Sequence, residues 1–313
     1  MLPTPKPIQI QEQVLGLVLR VGLFVLIVIM AAVLLPLILV PIVERFAGAA
    51  LTVFGAGAIS NAITYRIYER SSLMDAGLDW ATAGSRRNLL LGIGLGAGFG
   101  LIVVLILVVM GQASFEHSGS LSWSSLLFVT LVLMFGAVGE ELMFRGYGFQ
   151  LLASKLGPFA TLLPMAIVFG FAHIDNLGST PLSVINTVGW GLLLGYATLK
   201  SHGLWLPIGI HYGWNWILPV LGANLSGFKM GVTGLHLNAA ENSWGGGAYG
   251  PEASLMLTLL LPGLFYLVHR IQVAPQQALL LRGLDDKGVE EAGKHVDSTT
   301  NAGGDDGDDR SGR

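Results

Sequence analysis

The hexapeptide Glu140-Glu141-Leu142-Met143-Phe144-Arg145 sets two neighbouring carboxylates and a guanidinium inside a sequence otherwise apolar enough to cross a membrane. An ionisable group at membrane depth is costly, so its retention points to a task. Glu141 and Arg145 stand four apart with the acid first, the order that favours an ion pair along a helix, and this gives the pair a structural reading. Glu140 has Phe144 at that spacing and so lacks a basic partner on its own helix. Glu140 is therefore the candidate general base.

Two more pairs share the i, i+4 spacing that puts both side chains on one helix face: Phe169 with His173, and His211 with Asn215. Glu140 lies 17 residues before Gly157 and His173 lies 16 after it. Two helical arms meeting near Gly157-Pro158, at about 1.5 Å per residue, bring both groups to one level roughly 25 Å from the turn. The sequence holds no Cys to act as nucleophile and no Gly-x-Ser-x-Gly elbow. Hydrolysis by water activated on Glu140, with His and Asn donating to a developing oxyanion, uses the groups available. A zinc site of Glu140, His173 and His211 is the alternative, although the His-Glu-x-x-His spacing is missing. Each group also has a structural reading: His173 bonded to nearby backbone, His211 and Asn215 as a clamp between helices. His202 and His269 at helix ends, and His117, His236 and His295 in loops or tail, read as solvated.

The elements that must position these groups follow from hydropathy. The chain has 313 residues, 52% of them hydrophobic and only 12% charged, which excludes a water-soluble domain of this length and makes it an all-α, polytopic membrane protein. A span needs about 20 apolar residues. Eight stretches qualify, at about 21–43, 46–65, 89–110, 122–142, 158–174, 183–199, 204–221 and 253–268, the second and last being the weakest. The first is too long for the core of a cleavable signal and reads as a span. Gly92, Gly96 and Gly100 lie inside an apolar run on one helix face, so they suit close helix packing rather than phosphate binding.

With a cytoplasmic N-terminus, the inside segments hold Lys6, then Arg66, Arg70, Arg86 and Arg87, then Lys155, Lys200, Arg270, Arg282 and Lys287; outside segments hold little beyond Arg45 and Lys229. This is the positive-inside pattern, with both termini cytoplasmic. The 222–252 loop is long and Gly-rich, and reads as a connector with an interfacial Trp244. Residues 285–313 carry nine acids against Lys287, Lys294, Arg310 and Arg313, and read as a disordered, solvating tail. The chain thus divides into N-terminal membrane helices (1–120), a catalytic membrane core (121–272) and a cytoplasmic acidic tail (273–313).

Glu140-Glu141-x-x-x-Arg145, Phe169-x-x-x-His173 and His211-x-x-x-Asn215, in that order, resemble the motifs of the CPBP intramembrane proteases, which include type II CAAX prenyl endopeptidases and bacteriocin-immunity proteins. The Gly-rich segment ending Gly250-Pro251-Glu252 looks like that of prokaryotic members, and the likeness covers roughly 120–270. The resemblance implies about eight transmembrane helices around a conical cavity open to the cytosol. It implies Glu140 and His173 activating water, His211 and Asn215 as the oxyanion hole, and Glu141, Arg145 and Phe169 as supports. It further implies an integral protein of a prokaryotic cell membrane, no cofactor, and membrane lipid and a membrane-associated or prenylated protein as partners, with no nucleic acid. A non-catalytic, immunity-like membrane protein is the second reading. A proton-coupled transporter is the third, weakened by the lack of an internal repeat.

Overall fold

The computed structural model describes residues 7–284; the acidic segment 285–313 and Lys6 lie outside the described residues. Among the described residues there are nine α-helices: α1 (Pro7–Leu39), α2 (Arg45–Thr64), α3 (Ala83–Val109), α4 (Trp123–Arg145), α5 (Tyr147–Leu156), α6 (Pro158–Phe171), α7 (Pro181–Ser201), α8 (Trp205–Val220) and α9 (Leu255–Arg270). A small antiparallel pair, β1 (Ala113–His117) with β2 (Leu235–Ala239), joins the α3–α4 and α8–α9 connections. His117 and His236 therefore sit in strands.

Helix starts are marked by short polar side chains that satisfy otherwise orphaned amides. Ser122 Oγ accepts from Ser125 N, Thr180 Oγ1 from Ser183 N and Ser254 Oγ from Leu257 N, while the Glu44 carboxylate accepts from Phe46 N and Ala47 N. Pro158 and Pro181 occupy first-turn positions where no amide is needed.

Among the described residues, five segments are long and apolar enough to cross a membrane: Gln11–Leu39, Arg45–Glu69, Gly84–Val109, Trp123–Leu156 and Pro181–Ser201. All eight expected stretches are helical, but α6, α8 and α9 have 14, 16 and 16 residues, so the count of spans by length is five. The physical reason is clearest for α8, which is sheathed by protein: Leu206 through Trp214 are all buried. Hydropathy marks such a core helix as readily as a lipid-facing one. By contrast, α1 exposes an apolar surface along most of its length, from Val14 to Ile38, as a lipid-facing helix must.

The contact of α3 with α8 is the closest in the bundle. A Cβ at Gly92 or Gly96 would collide with the backbone of Leu206 or Ile210, and one at Gly209 or Gly213 with that of Leu89 or Ile93. The glycines expected to permit close packing on α3 thus meet a second glycine row on α8.

Asn61 explains the polar residues of α2, the feature that weakened this stretch as a span. Its side-chain amide donates to Leu142 O at 2.8 Å and accepts from Tyr147 N at 2.7 Å. These bonds repair the helical ladder where α4 stops and α5 begins at Gly146. Gln150 Nε2 donates to Arg145 O at 3.1 Å and its Oε1 accepts from Tyr65 OH at 2.9 Å, adding a second repair at the same break.

The connections segregate to two ends. At one, Lys200 Nζ donates to Val268 O and Ile271 O, Asn88 pairs with Ala274, and Gln276 N donates to Ser201 O. At the other, β1 pairs with β2, Ser122 N donates to Val232 O, and Phe46 meets Phe228 at 5.8 Å between ring centroids. Residues 273–284, which the sequence assigns to a solvated tail, instead pack against the first of these ends, with Ala278 and Leu281 fully buried and Leu279 N donating to Asp75 O. Apolar residues lead this segment up to the acidic run, and they find a groove there.

Replacing Gly96 with Leu should lower stability by about 1–3 kcal/mol, the usual cost of overpacking. Gly94→Ala should be near neutral, because a Cβ at Gly94 meets nothing within 4 Å. Thermal unfolding in detergent reads both.

Candidate active site

Glu140 sits on α4 five residues before its end, His173 in the turn just after α6, and His211 and Asn215 on α8. The structure brings all four to one cavity of about 370 Å³. Glu140 Oε2 faces His173 Nε2 at 3.6 Å and His211 Nε2 at 3.8 Å. These separations are too long for direct hydrogen bonds and suit a bridging water. The equal-depth argument gives the right meeting but the wrong arms: α4 breaks at Gly146, the separate helix α5 intervenes, and His173 lies beyond α6. Phe144 and Phe169, with ring centroids 5.0 Å apart, make the actual contact between α4 and α6.

Both imidazoles are held through Nδ1. His173 Nδ1 lies 2.8 Å from Phe169 O, and since a carbonyl only accepts, Nδ1 is the donor and Nε2 is left facing Glu140. This is the role of the Phe169 position, with its ring packed on that of His173 at 4.7 Å. His211 Nδ1 lies 2.8 Å from Glu141 Oε1, which also accepts from Arg145 Nη1 at 3.1 Å. Arg145 Nη2 donates to Gly191 O on α7 at 3.3 Å, and the guanidinium lies 4.2 Å from the Phe169 ring centroid.

The expected Glu141–Arg145 ion pair is therefore present and buried, at 0% and 2% side-chain exposure. It does more than brace α4, because the same carboxylate orients an imidazole on α8. Asn215 lines the cavity beside His211.

Glu252 is a cavity residue that sequence reasoning treated only as part of a helix start and of the Gly-rich likeness. It lies in a short 3-10 turn, Pro251–Ala253, ahead of α9. Its Oε1 accepts from Trp214 Nε1 at 3.1 Å, and its Oε2 from Ser226 N at 2.6 Å and Ser226 Oγ at 2.9 Å. It thereby ties the 222–254 loop to α8 one residue from Asn215. Its backbone oxygen also accepts from Asn186 Nδ2 on α7 at 2.9 Å. The only local signal was one of two acids, with Glu241, in a Gly-rich loop. At the rim, Asn176 Nδ2 reaches Tyr249 OH at 3.4 Å, and burial pushes the Tyr249 phenol above its ordinary pKa, keeping it neutral. Among the remaining histidines, His269 Nδ1 pairs with Tyr196 OH at 2.7 Å away from the cavity.

Among the described residues, no group of three or more His, Cys, Asp or Glu side chains is arranged to hold a metal ion. The Glu140, His173, His211 set thus does not fit the zinc alternative as it stands.

Residues 121–217 match the model of a family described as Rce1-like, type II CAAX prenyl endopeptidase. No curated protein and no solved structure matches the chain. The matched stretch contains Glu140, His173, His211 and Asn215. That family indicates a protease, and the apolar helices make it an integral membrane protein.

Glu141→Gln would leave the buried Arg145 charge without its counter-ion. Removing one partner of a buried pair costs about 3–5 kcal/mol, so a loss of that order is expected in reversible denaturation.

Proposed function

We propose that the protein is an intramembrane endopeptidase in which Glu140 activates water against a peptide bond of a membrane-associated or lipidated protein. The observation that carries this is one carboxylate oxygen facing two imidazole nitrogens at 3.6 and 3.8 Å inside a cavity that also holds Asn215. A water seated between Glu140 and His173 gives its proton to the carboxylate as its oxygen attacks the scissile carbonyl. The Asn215 amide is the donor available to the resulting oxyanion; His211 Nε2 joins it only when the ring carries a second proton, since His211 Nδ1 already donates to Glu141. Glu140 then returns the proton to the departing amine.

The apolar walls contributed by α2, α4 and α7, among them Phe46, Val53, Leu133 and Trp190, suit an apolar or lipid-modified segment beside the cleaved bond. A prenylated CAAX-type substrate is what the family suggests. The non-catalytic reading is weaker because every position the chemistry needs is filled.

Glu140→Gln should reduce kcat on a quenched lipopeptide at least about 1000-fold, and Asn215→Ala about 100-fold, with thermal midpoints unchanged. Full activity in Glu140→Gln would dismiss the assigned base. Preincubation with a strong chelator should leave turnover intact; inactivation that zinc restores would favour the metal alternative.

A further inference from the structure

We propose that Glu252 is a positioning residue of the site: it locks a tight turn, Leu225–Phe228, that braces the segment carrying His173. The inference rests on the proposed protease reading for what His173 does, and on geometry alone for how His173 is held.

Of Glu140, His173, His211 and Asn215, His173 alone lies outside a helix. Around it the backbone bonds reach only three residues back, from His173 N to Gly170 O, Asn176 N to His173 O and Ser179 N to Asn176 O. Ile174, Asp175, Leu177 and Gly178 are exposed. The bond between His173 Nδ1 and Phe169 O, which aims Nε2 at Glu140, requires residue 173 to keep its helical offset from residue 169 although α6 has ended at Phe171. A short, exposed turn of this kind opens easily by itself, so its geometry depends on what packs against it.

The 222–254 loop supplies two such contacts. Gly227 lies so close to Leu177 that a Cβ at Gly227 would collide with Leu177 O. Asn176 Nδ2 donates to Tyr249 OH at 3.4 Å, and Gly227 N donates to Tyr249 O at 2.9 Å, which joins the two contacts. Gly227 stands at the tip of a two-residue turn closed by Leu225 N to Phe228 O at 3.0 Å and Phe228 N to Leu225 O at 2.8 Å. Both central residues have positive φ, 49° at Ser226 and 83° at Gly227, a hairpin-turn geometry that glycine adopts freely and serine does not.

Glu252 is what keeps serine there. Its Oε2 accepts from both the backbone N and the Oγ of Ser226, and such charge-assisted bonds are strong enough to hold an unfavourable backbone. Its Oε1 accepts from Trp214 Nε1 on α8, and its backbone oxygen from Asn186 Nδ2 on α7. The turn is thereby referenced to the helix that carries His211 and Asn215. One carboxylate that takes no part in the proton transfers thus ties the His173 segment to the opposite wall of the cavity.

In the full-length protein in detergent, Glu252→Ala should lower kcat on the quenched lipopeptide by about 10–100-fold, as expected when a reacting group is displaced by about 1 Å. Gly227→Ala, which removes no charge and pushes on Leu177 O, should do the same. Glu241→Gln, an exposed acid of the same loop outside the cavity, should match the wild type. On the residual turnover of His173→Ala, adding Glu252→Ala should cost nothing more, because both changes act through one group. A full further loss would overturn the inference. Amide hydrogen exchange should quicken across 172–180 in Glu252→Ala and in Gly227→Ala while α4 keeps its protection; unchanged exchange there would overturn it as well. If Glu252→Ala does not fold, Glu252→Gln, which keeps one acceptor oxygen, takes its place under the same criteria. The exchange measurement needs no turnover, so a wild type that cleaves nothing would dismiss the protease reading while the brace still stands or falls on the amides.

Discussion

The structure depends on one buried electrostatic constraint: Glu141 cannot be stable inside the bundle unless its charge is met from within. Arg145 meets it along α4, and His211 meets it from α8, so a single carboxylate oxygen fixes the rotation of one helix against another. Taking charges out of water is expensive, and such a pair is stable only when its remaining donors are also satisfied. Gly191 O on α7 and the face of Phe169 on α6 take up the rest of the guanidinium. Four helices are thereby held in register around Glu140, which is left facing the cavity.

Close approach of backbones makes this register possible. The opposed glycine rows of α3 and α8 let α8 sink into the protein, and that depth brings a residue only six positions into α8, His211, level with Glu140 far along α4. The break at Gly146 does the complementary work on α4. It ends the helix one residue after Arg145, and Asn61 and Gln150 satisfy the backbone groups that the break exposes. Where lipid offers no hydrogen bonds, irregular backbone survives only with such internal partners.

The 222–254 loop belongs to the site rather than merely connecting helices. Glu252 binds it to Trp214 and Ser226, while Phe228 rests on Phe46 across the cavity. A third carboxylate is held close to the proposed oxyanion donors by neutral hydrogen-bond donors alone, which sets its depth without a counter-ion.

Hydropathy located eight of the nine described helices and missed the short α5, and residue type with i, i+4 spacing singled out Glu140, His173, His211, Asn215 and the Glu141–Arg145 pair, because periodicity and burial cost are properties of local sequence. Three matters were decided only by tertiary structure: that α6, α8 and α9 are too short to span alone, that Glu141 serves His211 as well as Arg145, and that Glu252 and residues 273–284 pack into the protein. Each turns on contacts between residues far apart in the chain. Apolar periodicity reads the same whether a helix faces lipid or protein, and a hydrogen bond across 70 residues leaves no trace in the spacing of either partner.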